Sequence, residues 1–220
     1  MRLRDIGSYD ELNVLVGYEH SEPYEDYFDI DLTEEEKNAR ITLARMLEEG
    51  FTMSLMYAFY LLKSGGQMDW ESFQSQLRID FQDSIEEVGY EVDDEMMDHI
   101  FMFAALVSDT TAEHMADVDD LSLEDLYFLS EDRSIFMAED ESHGVSEYEE
   151  FLQAMLSGKR TKTWKSMKDS RVRKTHVIAD EQTVPINQMF MVGGYEAMYP
   201  KDDRLPGKEK IGCRCHALYR

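Results

Sequence analysis

The sequence has two cysteines in 220 residues. Cys213 and Cys215 stand one residue apart, too close to build a disulfide framework, which excludes a small secreted scaffold held by disulfides. Prolines number four, and three of them, Pro185, Pro200 and Pro206, fall near the C-terminus, so little interrupts helices before that point. No apolar run approaches the roughly 18 residues of a membrane span. The most apolar stretch, FTMSLMYAFYLL, stops at Lys63 and reads as a buried helix. The N-terminal MRLRDIGSYDELN has two arginines with no apolar segment behind them, so it does not read as a secretory signal, and synthesis and use without export are expected. Positive charge is scarce at first and then abundant. Residues 1–157 hold 8 Lys+Arg against 40 Asp+Glu, and residues 158–220 hold 14 against 7, giving -32 and +7 of the total -25. An acidic body of this strength repels nucleic acid and anionic membrane surfaces at long range, so any polyanion contact belongs to the last third.

The acidic part reads as helices joined by short loops. Thr33 and Glu36 have capping-box spacing, and Ile41, Ala44, Leu47 and Phe51 follow at helical intervals. Gly50 is expected to loosen that helix, and a second, apolar almost all round, is expected to end at Gly65 and Gly66. Trp70, Phe73, Leu77, Phe81 and Ile85 share one face of a third, and Asp93 or Asp94 caps a fourth. Helical pattern continues through LSLEDLYFLSEDRSIFMAEDESHG and SEYEEFLQAMLSG, with Gly144 and Gly158 as breaks. Short connections predict a compact bundle.

After Gly158 the texture changes. KRTKTWKSMKDSRVRKTHVIADEQ is expected to form a basic helix with Trp164 and Met167 inward. The remainder holds two β-prone runs, QMFMV and CRCHALY, which predict a short hairpin or small sheet packed on that helix. The expected fold class is therefore α+β: an N-terminal arm (1–31), an acidic helical body (32–157) and a small C-terminal α+β module (158–220).

In that module Trp164, Asp169, Arg171, Val172, Arg173, His176, Asp180, Gln182, Phe190, Gly193, Gly194, Pro200, Asp202, Cys213, Arg214 and Cys215 follow one another in a fixed order. That order resembles the C-terminal domain of the phage Mu protein F-like family of minor head proteins. It covers about the last sixty residues. The chain departs from the family pattern at three places: Glu181 stands where glycine is usual, Gly212 where asparagine is usual, and Pro200-Lys201-Asp202-Asp203 where the family has a tighter Pro-Gly-Asp turn. The resemblance implies a structural protein of a tailed double-stranded DNA phage or prophage, in the head interior or at the portal vertex. It would be synthesised in the bacterial host cytoplasm and would act in head morphogenesis or genome packaging and delivery. Its implied partners are the portal protein, the major capsid protein or a scaffold, with the basic C-terminal segment available to packaged DNA and no membrane involved.

The same residues have plainer and sharper readings. Arg171 and Arg173 are expected to pair with Asp180, Asp202 or Asp203 and hold the fold, in preference to DNA, because a net of +7 is modest for a dedicated binder. His176, Cys213, Cys215 and His216 are ligand types for a tetrahedral zinc site. The tight Cys-x-Cys-His spacing argues against one, and on a strand His216 would face away from both cysteines. No cofactor is therefore expected, and Cys213 and Cys215 are read as small apolar side chains on the inner face of a terminal strand. The alternative is a structural zinc on His176, Cys213 and Cys215. A catalytic alternative takes His176 with Arg171, Arg173 and Asp180 as a small nuclease set. Against it, the chain has no HNH, P-loop, G-x-S-x-G or H-E-x-x-H signature, so no enzyme is expected. A third reading makes the acidic body a DNA mimic that sequesters a protein, which leaves the C-terminal motif unexplained.

Overall fold

The computed structural model describes residues 1–17 and 32–220. Part of the N-terminal arm, residues 18–31, lies outside the described residues. The described part packs: Leu3, Ile6, Tyr9 and Leu12 are buried, and α1 (Tyr9–Val16) is capped by Ser8 and ended by Gly17 in a left-handed conformation. The acidic body follows as α2 (Glu34–Lys63), α3 (Trp70–Glu87), α4 (Asp94–His114), α5 (Leu123–Tyr127) and α6 (Glu131–Leu156). Among the described residues no helix is long and apolar enough to cross a membrane. With the small sheet that follows, the fold is α+β with a helical body.

Compactness divides the chain elsewhere than at the charge switch. One unit gathers Met1–Pro23 with Thr42–Ala138, and the other Tyr24–Ile41 with Glu139–Arg220. In the first, Phe51, Phe81 and Phe103 pack together with ring centroids 5.0 to 5.9 Å apart, Phe81 edge-on to the other two, while Leu77, Ile85, Ile100 and Val107 complete the core. Asp69 and Asp93 cap α3 and α4 through the backbone N–H groups they accept from. Thr33 and Glu36 form the reciprocal pair predicted for α2, at 3.3 and 2.7 Å.

Gly50 does not interrupt α2, which runs unbroken for 30 residues. A β-carbon at Gly50 would stand 2.9 Å from Cβ of Asp80, so the glycine lets α3 approach closely. That contact outweighs the ~0.5–1 kcal/mol an interior glycine costs. Gly144 likewise lies inside α6, and only Gly158, at φ 72°, ends that helix.

In the second unit, residues 158–173 correct the expected basic helix. Thr161–Lys165 is a strand, β1, at the centre of a three-stranded antiparallel sheet ordered β2-β1-β5, with β2 at Thr183–Pro185 and β5 at His216–Tyr219. Threonines at 161 and 163 alternate with buried Lys162 and Trp164, the period of a strand rather than a helix. Lys162 donates to the Met198 carbonyl at 2.6 Å and lies between the Phe151 and Phe190 rings, and burial pushes its ammonium pKa down to about 8. Only Lys174–Ala179 is helical, as α7. Both β-prone runs supply strands, but they do not pair with each other: QMFMV gives β3 (Phe190–Val192), which forms a hairpin with β4 (Tyr195–Ala197), and CRCHALY gives β5 beside β1, with α8 (Gly207–Lys210) preceding it. Gly193 and Gly194 turn the hairpin at φ 60° and 88°, the two positive values a two-residue type I′ turn requires.

Candidate functional site: a histidine between two thiols

Trp164 is the centre of the module's core. Its indole meets Phe190 and His176 edge-on at 5.4 and 5.6 Å, with Ala179, Val192, Leu205, Cys213, Cys215 and Ala217 around it. α7 presents His176 to the segment that enters β5, and there Nδ1 stands 3.3 Å from Sγ of Cys215 and 3.4 Å from Sγ of Cys213. On the other side of the ring, Nε2 lies 3.2 Å from Oε2 of Glu209, which also accepts from the Thr175 hydroxyl at 2.7 Å. All four groups of this line are buried or nearly so: His176 1%, Cys213 1%, Cys215 3% and Glu209 5% exposed.

Glu209 was not legible as a site residue, yet the structure reserves space for it. A β-carbon at Gly193 would meet Oε1 of Glu209 at 2.6 Å, so the hairpin glycine serves both the turn and the carboxylate. The two cysteines share a side, as expected, although they precede β5 rather than lie within it. Both are reduced. The Cys213 thiol is held well below its ordinary range, first by the hydrogen bond from the Cys215 thiol and, against burial, by His176. The same hydrogen bond and burial push the Cys215 thiol up. His216 is buried but does not join this donor group.

The basic strip is arranged differently from the expectation. Arg171 and Arg173 pair with none of Asp180, Asp202 or Asp203. Asp180 accepts the Ser166 N–H at 2.8 Å, Asp202 holds the turn at Met198 and Arg204, and Asp203 pairs with Lys210. Arg173 donates to the Ile211 carbonyl, and the exposed Arg171 lies 3.6 Å from Asp169. Arg214 makes the fold-holding pair instead, its Nη2 lying 2.9 and 2.7 Å from the two oxygens of Asp169. Burial pushes the Asp169 carboxyl up, but Arg214 and the Arg171 N–H outweigh it and hold it below the usual carboxylate range. A small cleft lined by Met167, Arg171, Arg173 and Arg214 reaches His176 and both cysteines. Asp180 is not part of it, so the nuclease set is not brought together.

Comparisons with family models, with curated proteins and with solved structures find no match to this chain.

A second polar cluster lies in the same unit and escaped sequence reading. His143, Glu147 and Glu150 recur at helical spacing on α6 and converge on Arg40, which donates to Glu147 at 2.9 Å and to Glu150 at 2.6 Å. His143 takes Arg40 on Nδ1 and donates from Nε2 to the Cys215 carbonyl at 2.7 Å, which fixes a neutral imidazole. Burial and then the Arg40 charge keep its pKa well below the ordinary value. Burial pushes Glu147 and Glu150 up against the pull of Arg40. Glu147 also accepts the Ala217 N–H at 3.1 Å, and Asp140 accepts the Gly212 N–H at 2.7 Å while paired with Lys201. One face of α6 thereby hydrogen-bonds the backbone of residues 212, 215 and 217, the segment that carries the two cysteines.

Proposed function

We propose that the chain is a minor head protein of a tailed double-stranded DNA phage or prophage, located in the head interior or at the portal vertex. In this reading it acts in head morphogenesis or in packaging and delivery of the genome. The observation that carries the reading is conformational. At the three positions where the chain departs from the Mu F-like pattern, the backbone takes the left-handed form that the family's own residues favour: φ is 64° at Glu181, where the family has glycine, and 67° at Lys201, where it has the glycine of Pro-Gly-Asp. At Gly212, where it has asparagine, φ is again 67°. Glycine and asparagine are the residues that tolerate this region, so the departures preserve the geometry. The quoted residues also have connected structural roles here: Trp164, Phe190 and Cys213 in one core, Asp169 with Arg214, and Gln182 bonding both the N–H and the carbonyl of Met191 at 2.7 and 3.1 Å.

In this reading the acidic helical body docks on the portal, the major capsid protein or a scaffold. Exposed Lys159, Arg160, Lys168, Arg171 and Lys174 are the cations available to packaged DNA. The test is induction of the phage from the strain that encodes the chain, followed by mass spectrometry of purified heads and of particles from a deletion strain. The chain is expected in heads at low copy number, and its deletion is expected to reduce infectious titre or DNA-filled heads. Absence from heads and procapsids, with normal titre after deletion, overturns the proposal.

A further inference from the structure

We infer that His176, Cys213 and Cys215 form a zinc site, with Glu209 as the residue that orients the histidine. The donor types are those zinc selects: two thiolates and an imidazole nitrogen, softer than any calcium or magnesium site uses. The spacing fits as well. Tetrahedral zinc, with Zn–S about 2.3 Å and Zn–N about 2.0–2.1 Å, separates sulfur and nitrogen donors by about 3.6 Å. In this structure Nδ1 of His176 stands 3.3 and 3.4 Å from the two sulfurs, and the three donor atoms lie within 4.8 Å of one another.

The surroundings match what a metal-bound histidine needs. A ligand imidazole bound through Nδ1 presents its other N–H to a carboxylate, which fixes the tautomer and strengthens the ligand. Glu209 Oε2 stands 3.2 Å from Nε2, within ion-pair reach though not aligned as a hydrogen bond, and is itself steadied by the Thr175 hydroxyl, so a small turn of the ring would bring the two together. Gly193 leaves room for this carboxylate, since a β-carbon there would stand 2.6 Å from Oε1 of Glu209. Two thiolates neutralise the dication, so the bound site adds no net charge to a buried position. The three ligands border the cleft lined by Arg171, Arg173 and Arg214, so the fourth coordination position takes water or a small anion from that side. The metal would tie α7 to the segment entering β5, a cross-link between residues 37 and 39 positions apart in sequence. This inference does not depend on the virion assignment.

The full-length chain, saturated with zinc and desalted, is expected to retain about one zinc per chain. With cobalt(II) in place of zinc it is expected to show the ligand-field bands of a tetrahedral site and a thiolate charge-transfer band. Cys215→Ser removes the charge-transfer intensity and the retained zinc. Glu209→Gln keeps all three ligands and is expected to weaken zinc affinity roughly 10- to 100-fold, read by competition with a chromogenic chelator. A chelator lowers the melting temperature of the wild type and leaves that of Cys215→Ser unmoved. A wild-type chain with a folded circular-dichroism spectrum that retains no zinc and gives no cobalt–thiolate band overturns the site. Should Cys215→Ser not fold, the wild-type and Glu209→Gln measurements decide, and unchanged affinity in Glu209→Gln removes the orienting role of the carboxylate.

Discussion

Nη2 of Arg214 lies 2.9 and 2.7 Å from the two carboxylate oxygens of Asp169, joining the start of the basic strip to the Cys-Arg-Cys segment 45 residues later. The Arg214 side chain is 7% exposed and that of Arg171 is 63% exposed. This places the structural load of the strip's arginines on one that lies outside it. Arg214→Ala is expected to cost about 1.5–3 kcal/mol, the range for a hydrogen bond to a charged group. Arg171→Ala is expected to stay within about 0.5 kcal/mol. Thermal unfolding of the two variants decides between them, and equal losses would contradict the assignment. In DNA-binding assays Arg171→Ala is expected to flatten the salt dependence by about one unit if its guanidinium meets phosphate.

Gly193 and Gly194 both need a left-handed backbone, but only one has a neighbour in the way. Alanine at either position pays about 1–2 kcal/mol for its conformation. At 194 nothing lies within 4 Å of the added β-carbon, whereas at 193 it meets Glu209 Oε1 at 2.6 Å and Thr175 Cγ2 at 3.2 Å. Gly193→Ala is therefore expected to be the more destabilising of the two. It alone should alter the environment of His176, read as a shift of the ring resonances by NMR.

How much of this was legible in the sequence depends on whether a residue's role follows from local spacing. The Thr33–Glu36 pair, the cap at Asp93 and the apolar row through α3 are local, and they placed those helices correctly; the Asp69 cap of α3 was not read. Gly50 misled because its reason lies across the fold, at Asp80. Strand β1 misled because lysines at 162 and 165 disguise a period of two: one of them is buried along its stem with its ammonium held by a carbonyl. The Arg40 cluster was illegible for a related reason, since Glu147 and Glu150 in an acidic helix read as solvated. His143, Glu147 and Glu150 do share one helical face, and a histidine among acids at that spacing was the available signal. Trp164, Asp169, His176, Gly193, Arg214 and the cysteines were singled out through the family resemblance, whereas Glu209 had no motif to announce it.

Asp125 gives a prediction in acid. Hydrogen bonds from Ser122, then from His114, hold its carboxyl at about 2, below the ordinary 3.8. Between those values the unfolded chain binds more protons than the folded one, so this group's contribution is fully present above 3.8 and is lost as pH falls towards about 2. Asp125→Asn removes the titrating group and should make the urea midpoint less dependent on pH across that window. An unchanged slope would show that the capping pair does not couple to folding.

Glu181 and Lys201 offer the sharpest comparison, because the same substitution is expected to have opposite signs. Each sits at positive φ, where a non-glycine residue costs about 1–2 kcal/mol. Glu181 is 55% exposed, and its pairs with Lys165 and Lys168, at 2.6 and 3.2 Å, are surface ion pairs worth about 0–1 kcal/mol. Removing the strain therefore outweighs losing the pairs, and the added freedom of glycine in the unfolded chain takes back part of the gain. Glu181→Gly is expected to be neutral to stabilising by up to about 1 kcal/mol. Lys201, by contrast, is buried against Asp140 Oδ1, the same oxygen that accepts the Gly212 N–H. Lys201→Gly leaves that carboxylate buried without its counter-charge, a loss of about 3–5 kcal/mol that relief of strain does not recover. Adding Asp140→Asn to Lys201→Gly should restore much of the stability, since the amide keeps an acceptor for Gly212 and carries no charge. Chemical denaturation of the three variants measures all of this at once, and a Lys201→Gly protein as stable as wild type would mean that the buried pair contributes nothing to the fold.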